Sequence, residues 1–308
     1  MNINLSVKLC DINLKNPTIL SSGIMGVTGS SVCFVAENGA GAVTMKSIGL
    51  NERIGHKGTI IHAFEFGNIN AVGLSCPDLD TAIKEIIYAK KNCSAPVIAS
   101  IFAFNKKDYS TLTRRVTSAR PDLIEVNISC PNVGSEGGKP FGIDPIISAE
   151  ITSIVKKNTD IPVFVKLTPN TSDIVEIAKS VEDAGADGIT AINTLGPGMA
   201  IDIESARPIL KNKVGGMSGP CIRPIAIRCV YEIYKKVSIP IIGVGGITTG
   251  KDAIEMIMAG ATAIGIGSGV YVRGLEVFKK ITDEMRDFML AHDYNSLDQI
   301  RGAAHEFE

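Results

Sequence analysis

Eight short apolar runs, each with the length and branching of a strand, recur along the 308 residues: PTILSS (17–22), GAVTMK (41–46), PVIASIF (96–102), DLIEVNI (122–128), PVFVKL (162–167), GITAIN (188–193), IPIIGV (239–244) and ATAIGIG (261–267). Between most of them lie segments of helical period, among them DTAIKEIIYAKKN, DPIISAEITSIVKKN, SDIVEIAKSVEDAG and GKDAIEMIMAG, several opened by Asp or Ser and closed by Gly or Asn. Strand then helix, repeated eight times, predicts an α/β fold of the (β/α)8 TIM barrel type. Two joins, AGADGIT (184–190) and AGATAIGIG (259–267), each end a helix at Gly and restart a strand three residues later, which sets the barrel register. The alternative, an open doubly wound sheet, is disfavoured because no strand opens into G-x-G-x-x-G.

The chain is longer than the roughly 250 residues typical of such a barrel, which leaves room for an N-terminal hairpin and long loops at the catalytic face. With no linker in view, residues 1–308 read as a single domain. The largest extra segments, 47–78 and 195–221, follow the second and sixth strands, so they are expected to form the lid and walls of a pocket. A hydrophobic content of 45% supports a large core, and with a net charge of −1 nucleic acid is not the expected partner. Seven cysteines, at 10, 33, 76, 93, 130, 221 and 229, include no pair with the spacing of a zinc, haem or redox motif, which implies no metal and a reducing compartment. The start MNINLSVKLC lacks a basic stretch before an apolar one, and no run approaches the roughly 20 apolar residues that span a bilayer. A cytoplasmic protein without membrane contact is the expectation.

Candidate chemistry gathers at the strand ends. NISCPN (127–132) puts Cys130 on a loop directly after the fourth strand, with Pro131 forbidding the strand's continuation. A free thiol is commonly a small core residue, yet here it is presented where barrels do chemistry. VGGIT (244–248) and GIGSG (265–269) follow the last two strands and offer backbone amides unobstructed by side chains, so Gly245, Gly246, Gly267 and Ser268 are assigned to a phosphate, with SGP (218–220) as a further wall. Lys46 and Lys166 end the second and fifth strands with apolar residues before them, suiting anion or cofactor contacts rather than plain snorkelling. Asn70, Asn127 and Asn193 add amides that donate and accept at once, as a planar ligand with alternating carbonyl and N–H edges requires. Glu125, two residues before Asn127, points the same way into the barrel, and Lys166 on the next strand is a candidate partner for its carboxylate. His56, His62, His292 and His305 avoid all eight strand ends, which leaves Cys130 as the proton acceptor.

The chain resembles class 1 dihydroorotate dehydrogenases, and most of all the class 1B catalytic subunits, through SSG (21–23), TMKS (44–47), NAVGL (70–74), NISCPN, FVKLTPN (164–170) and INTLGPGMAID (192–202). The resemblance implies an FMN barrel that oxidises dihydroorotate to orotate in de novo pyrimidine (UMP) biosynthesis. By the family's pattern Cys130 is the base that takes the C5 proton while hydride passes from C6 to flavin N5, and Lys166 supports the negative charge of the reduced ring. Ser22, Lys46, Ser47, Asn127, Lys166, Ile192, Gly219, Gly245, Gly246, Gly267 and Ser268 would hold FMN. Lys46, Asn70, Ala71, Val72, Gly73, Leu74, Asn127, Asn193 and Thr194 would hold the substrate. Cys76 and Ser100 stand where family members commonly have Asn; Cys76 implies local repacking, and Ser100, at a cofactor-facing strand end, puts one flavin hydrogen bond in question. The quinone-using relatives carry an added amino-terminal helix and a serine base, and this chain matches neither.

Three other readings remain open on residues alone: an FMN enzyme acting on another dihydropyrimidine such as dihydrouracil, a non-redox phosphate-binding lyase or isomerase barrel, and a non-catalytic binding barrel. No motif binds NAD and no cysteine set holds an iron-sulfur centre, so electrons must leave to something else. The class 1B resemblance implies a partner subunit with FAD and an iron-sulfur cluster that serves NAD, around a homodimer core or in a heterotetramer, whereas class 1A relatives use fumarate directly.

Overall fold

The computed structural model describes residues 3–129 and 141–306. Eight strands, β1 (Thr18–Leu20), β2 (Ala42–Thr44), β3 (Val97–Ile101), β4 (Leu123–Asn127), β5 (Val163–Leu167), β6 (Gly188–Ala191), β7 (Ile241–Val244) and β8 (Ala263–Ile266), form a closed parallel barrel. Closure is made by β8 on β1, where Ile264 stands opposite Thr18 and Ile266 opposite Leu20. Each expected apolar run is a strand, and each strand is shorter than its run. Pro17, Pro96, Pro162 and Pro240 mark leading ends, since each lacks an N–H to donate while its carbonyl still accepts from the adjacent strand.

The helices are α1 (Gly29–Glu37), α2 (Leu79–Asn92), α3 (Lys106–Thr117), α4 (Pro145–Lys156), α5 (Ile174–Asp183), α6 (Arg223–Tyr234), α7 (Gly250–Met258), the short α8 (Gly269–Arg273) and α9 (Val277–Ala291). Side-chain caps explain several starts: Asp78, Asn105, Asp144 and Asp173 each accept from a backbone N–H of the first turn. The α2 helix therefore begins at Leu79, one residue before the Asp80 start that its periodicity suggests. Gly185 and Gly260, with φ of +95° and +119°, make the two left-handed exits expected of the glycine joins.

Two apolar layers hold the barrel. One lies between the helices and the outward faces of the strands. The other fills the interior: Ile19, Ala42, Ile98, Leu123, Phe164, Ile242 and Ala263 pack against Leu9 and Leu14. These two leucines come from the expected N-terminal hairpin, Val7–Leu9 paired with Ile12–Leu14, which plugs the N-terminal end of the barrel. Two residues further along each strand the inward column turns polar, from Ile98 to Ser100, from Leu123 to Glu125 and from Phe164 to Lys166. The polar end is thus the C-terminal one, where chemistry is expected.

The two long excursions do not form separate walls. Ile61–Phe64 and Gly67–Asn70 from the first join Leu195–Met199 and Val214–Ser218 from the second in one four-stranded antiparallel sheet, with Asn70 opposite Gly216 and Asn68 opposite Ser218.

The interior layer leaves no room at Gly188, where a methyl group would lie 2.3 Å from the ring of Phe164, itself fully buried. Gly188→Ala is expected to destabilise the fold by about 1–3 kcal/mol, the usual cost of overpacking; denaturant unfolding reads it, with Gly274→Ala, where a methyl meets nothing within 4 Å but φ is +71°, as a comparison for strain without crowding.

Candidate active site

Inward positions on adjacent strands bring most of the sequence-predicted residues to one mouth. Asn127 and Lys166 are register partners on β4 and β5, Ser100 and Glu125 on β3 and β4, and Thr190 and Lys166 on β6 and β5. Lys166 Nζ lies 3.6 Å from Glu125 Oε1 with both side chains buried, so the pairing expected from the i+2 spacing is present. Ser100 Oγ donates to the same carboxylate oxygen at 3.1 Å and lies 2.8 Å from Ser47 Oγ. Ser47 Oγ in turn lies 3.0 Å from Ser22 Oγ, which also donates to the Met45 carbonyl. Ser100 is fully buried with its hydroxyl committed to Ser47 and Glu125, and Cys76 is buried with its thiol on the Asn51 carbonyl, so both side chains pack inside the protein.

Lys46 has no such partner. Among the described residues it makes no ion pair, and burial pushes its ammonium below the ordinary lysine range; Cys76 pulls the other way and Lys166 adds to the lowering. A desolvated cation without a counter-charge is a place for an anion.

The glycine corner is continuous. A methyl group at Gly246 would lie 2.7 Å from the Gly219 carbonyl, and one at Gly245 would lie 3.7 Å from Ile192 Cγ1, so these four residues share one wall. Gly219, Gly245 and Gly246 have φ of +106°, +145° and +71°, conformations that a side chain resists. Asp252 braces the loop, accepting from the backbone N–H of Thr248 and Thr249 and pairing with Arg223. Burial works against that carboxylate, but the Thr248 and Thr249 hydrogen bonds and the Arg223 charge outweigh it and hold its pKa below the usual range. At Gly267 an added methyl meets Ser21 only at 3.7 Å, and Ser268 opens α8.

The amide set assembles from three directions. Asn127 Oδ1 accepts from the Ser129 backbone N–H at 3.1 Å and from Asn193 Nδ2 at 3.4 Å. Asn70 Nδ2 donates to the Gly216 carbonyl at 3.3 Å, and Thr194 packs so closely that a methyl on Gly216 would lie 2.2 Å from its hydroxyl. The Ala191–Ile192 peptide bond is cis. Beyond Asn70, residues 71–74 are half-buried, and Gly73 and Leu74 have φ of +77° and +56°. Cys130, the expected base, lies outside the described residues.

Four residues were not foreseen: His56, Asn170 and, at the barrel mouth, Ser21 and Thr190. His56, set aside because it stands at no strand end, reaches the loop of residues 70–74: its backbone N–H donates to Val72 at 3.0 Å and its Nδ1 lies 3.0 Å from the Ala71 carbonyl, which selects the tautomer protonated at Nδ1. Asn170 donates to the Thr194 carbonyl and accepts from Gly196 N–H, tying the sixth loop to the fifth. Its only sequence signal is its place at the end of FVKLTPN.

A family model described as dihydroorotate dehydrogenase matches residues 4–289. The chain belongs to the dihydroorotate dehydrogenase family. It is 47% identical over 305 residues to a Methanocaldococcus jannaschii protein named dihydroorotate dehydrogenase B (NAD(+)), catalytic subunit, an alignment covering 98% of each chain. Proteins of the same name from Methanothermobacter thermautotrophicus and Pyrococcus furiosus are 43% and 41% identical, each over 302 residues, covering 98% of this chain and 99% of theirs.

Dihydroorotate dehydrogenase membership implies a flavin, and the residues present fit one. Among the described residues, Ser21 Oγ and Thr190 Oγ1 are buried at the mouth without a hydrogen-bond partner, the positive-φ glycines leave a side-chain-free wall, and Lys46 and Lys166 face inward. Ser21, Ser22, Lys166 and Thr190 would meet the ring region, and Gly219, Gly245, Gly246 and Gly267 its phosphate tail.

Lys46→Met is expected to stabilise the flavin-free protein and to change how its stability depends on pH. With the folded pKa lowered, the unfolded chain binds more protons between the folded and ordinary lysine values, so the lysine's contribution makes stability rise with pH across that window. Unfolding of wild type and variant at several alkaline pH values should show that slope lost in the variant.

Proposed function

We propose that this chain oxidises dihydroorotate to orotate in de novo pyrimidine biosynthesis, with FMN as its flavin. The observation that carries the reading is the pairing of an uncompensated inward lysine, Lys46, with a continuous glycine wall in a member of this family. Lys46 supplies a counter-charge for the ring carboxylate of dihydroorotate, and dihydrouracil has no carboxylate to use it. That favours dihydroorotate over the uncarboxylated ring.

FMN when bound would supply the acceptor for the hydride that leaves C6. The chain's own groups do the rest. Asn70, Asn127 and Asn193 would read the alternating carbonyl and N–H edge of the pyrimidine, and residues 71–74 with Thr194 would close over it. Cys130, as thiolate, takes the proton from C5, the carbon next to the one that loses hydride, so proton and hydride leave neighbouring carbons and a double bond forms between them. The Lys166 ammonium would support the negative charge of the reduced flavin ring. Ser22, Ser47, Ile192 and Ser268 complete the proposed flavin contacts, with Ser100 behind them on Ser47.

Electrons then pass to a partner. The relatives named above are called catalytic subunits of an NAD(+)-linked enzyme, and we infer that this chain likewise works with an electron-transfer subunit carrying FAD and an iron-sulfur cluster, around a homodimer core and in the cytoplasm. No helix among the described residues is long and apolar enough to cross a membrane.

Released cofactor identified by mass is expected to be FMN in one-to-one amount, and FAD or no flavin after reconstitution would overturn the reading. Cys130→Ala should keep the flavin and slow its reduction by dihydroorotate about 10²- to 10⁴-fold in stopped flow, and the wild-type rate should rise with pH toward the ordinary thiol value of about 8.5. The isolated chain should turn over poorly with NAD until the partner is added; efficient NAD reduction alone removes the partner, and efficient fumarate use moves the chain to class 1A behaviour.

A further inference from the structure

A polar chain crosses the barrel mouth through five consecutive strands: hydrogen bonds link Ser22 after β1, Ser47 after β2, Ser100 on β3 and Glu125 on β4, and an ion pair links Glu125 to Lys166 on β5. Ser47, Ser100, Glu125 and Lys166 are 5%, 0%, 4% and 6% exposed. The proposed chemistry uses Lys166 and gives Glu125 no task, although burying a carboxylate is costly. A buried ion pair is in itself weak evidence for stability, since apolar residues of the same volume commonly do as well. The geometry is more particular than a stabilising pair needs. At 3.6 Å the ammonium is attracted to Glu125 without sitting at close hydrogen-bond distance, while Oε1 is fixed by the 3.1 Å bond from Ser100. Glu125 is therefore held in place by Ser100, with its negative charge beside the Lys166 ammonium.

We propose that Glu125 is a positioning residue for the redox step: it sets, through Lys166, how much positive charge the bound flavin experiences, and so where the flavin's potential lies. This rests on the flavin reading of the site. In wild type the carboxylate offsets the lysine and keeps the flavin from becoming too strong an oxidant to hand its electrons onward. An unopposed lysine would stabilise the anionic reduced ring, and a flavin made easy to reduce is correspondingly hard to reoxidise. Ser100 contributes by holding the carboxylate.

The test is a series in the FMN-loaded protein. Glu125→Gln keeps the shape and a hydrogen-bond acceptor for Ser100 but removes the charge; its midpoint potential should move positive, and sulfite, which adds to oxidised flavin as an anion, should bind about tenfold more tightly. Glu125→Asp retains the charge but draws it back by one methylene, so it should shift both readings the same way by less, and it serves if the glutamine variant fails to fold. In a Lys166→Gln background the Glu125→Gln shift should shrink, because the effect runs through the lysine. Unchanged potential and sulfite affinity in the Glu125 variants, a negative shift, or a shift undiminished without Lys166 would each overturn the proposal. A wild-type chain that takes up no flavin overturns both readings, whereas a loaded one indifferent to Glu125 overturns this one alone.

Discussion

Closure of the parallel barrel is the constraint on which the rest depends. Once β8 pairs with β1, each strand has a single inward column and every second residue must fit the interior. The columns have room for one apolar layer, sealed below by Leu9 and Leu14, before they reach the open end. Polar residues placed two positions later, Ser100, Glu125 and Lys166, are therefore forced to face one another across adjacent strands. The site is a consequence of register more than of loop conformation.

The same register explains the electrostatics. Among the described residues, Lys46 and Lys166 enter the mouth, and of these Lys166 has a carboxylate on the neighbouring strand. Lys46 carries its burial cost uncompensated, which suits a ligand that brings its own negative charge. The excursion sheet then adds what strand ends cannot. By pairing Asn70 opposite Gly216, it fixes the loop of residues 70–74 against the sixth-strand loop that carries Asn193 and Thr194. His56 and Asn170 brace that arrangement from either side.

Much of this was legible before any coordinates. The eight strands follow from apolar runs bounded by Pro and Gly, and the Glu125–Lys166 pair from alternation along β4 and strand adjacency. The glycine corner follows from two loops after the last two strands. The four-stranded sheet was not legible, because Asn70 and Gly216 lie 146 residues apart and antiparallel pairing at that distance leaves no period in either segment. The place of His56 was hidden for the same reason: it approaches the loop of residues 70–74 through that excursion and not from a strand end. The start of α2 at Leu79 illustrates a smaller limit, since Asp78 and Asp80 are both plausible caps and only the backbone decides.

One measurement bears most directly on the central claim that this mouth binds a carboxylated dihydropyrimidine beside a flavin. The FMN-loaded chain is mixed anaerobically with one equivalent of dihydroorotate or, separately, dihydrouracil, and loss of the oxidised flavin spectrum is followed in a single turnover. The account predicts rapid reduction by dihydroorotate, release of orotate, and little reduction by dihydrouracil, with the preference diminished in Lys46→Met. Equal reduction by both compounds, or none by dihydroorotate, would contradict it.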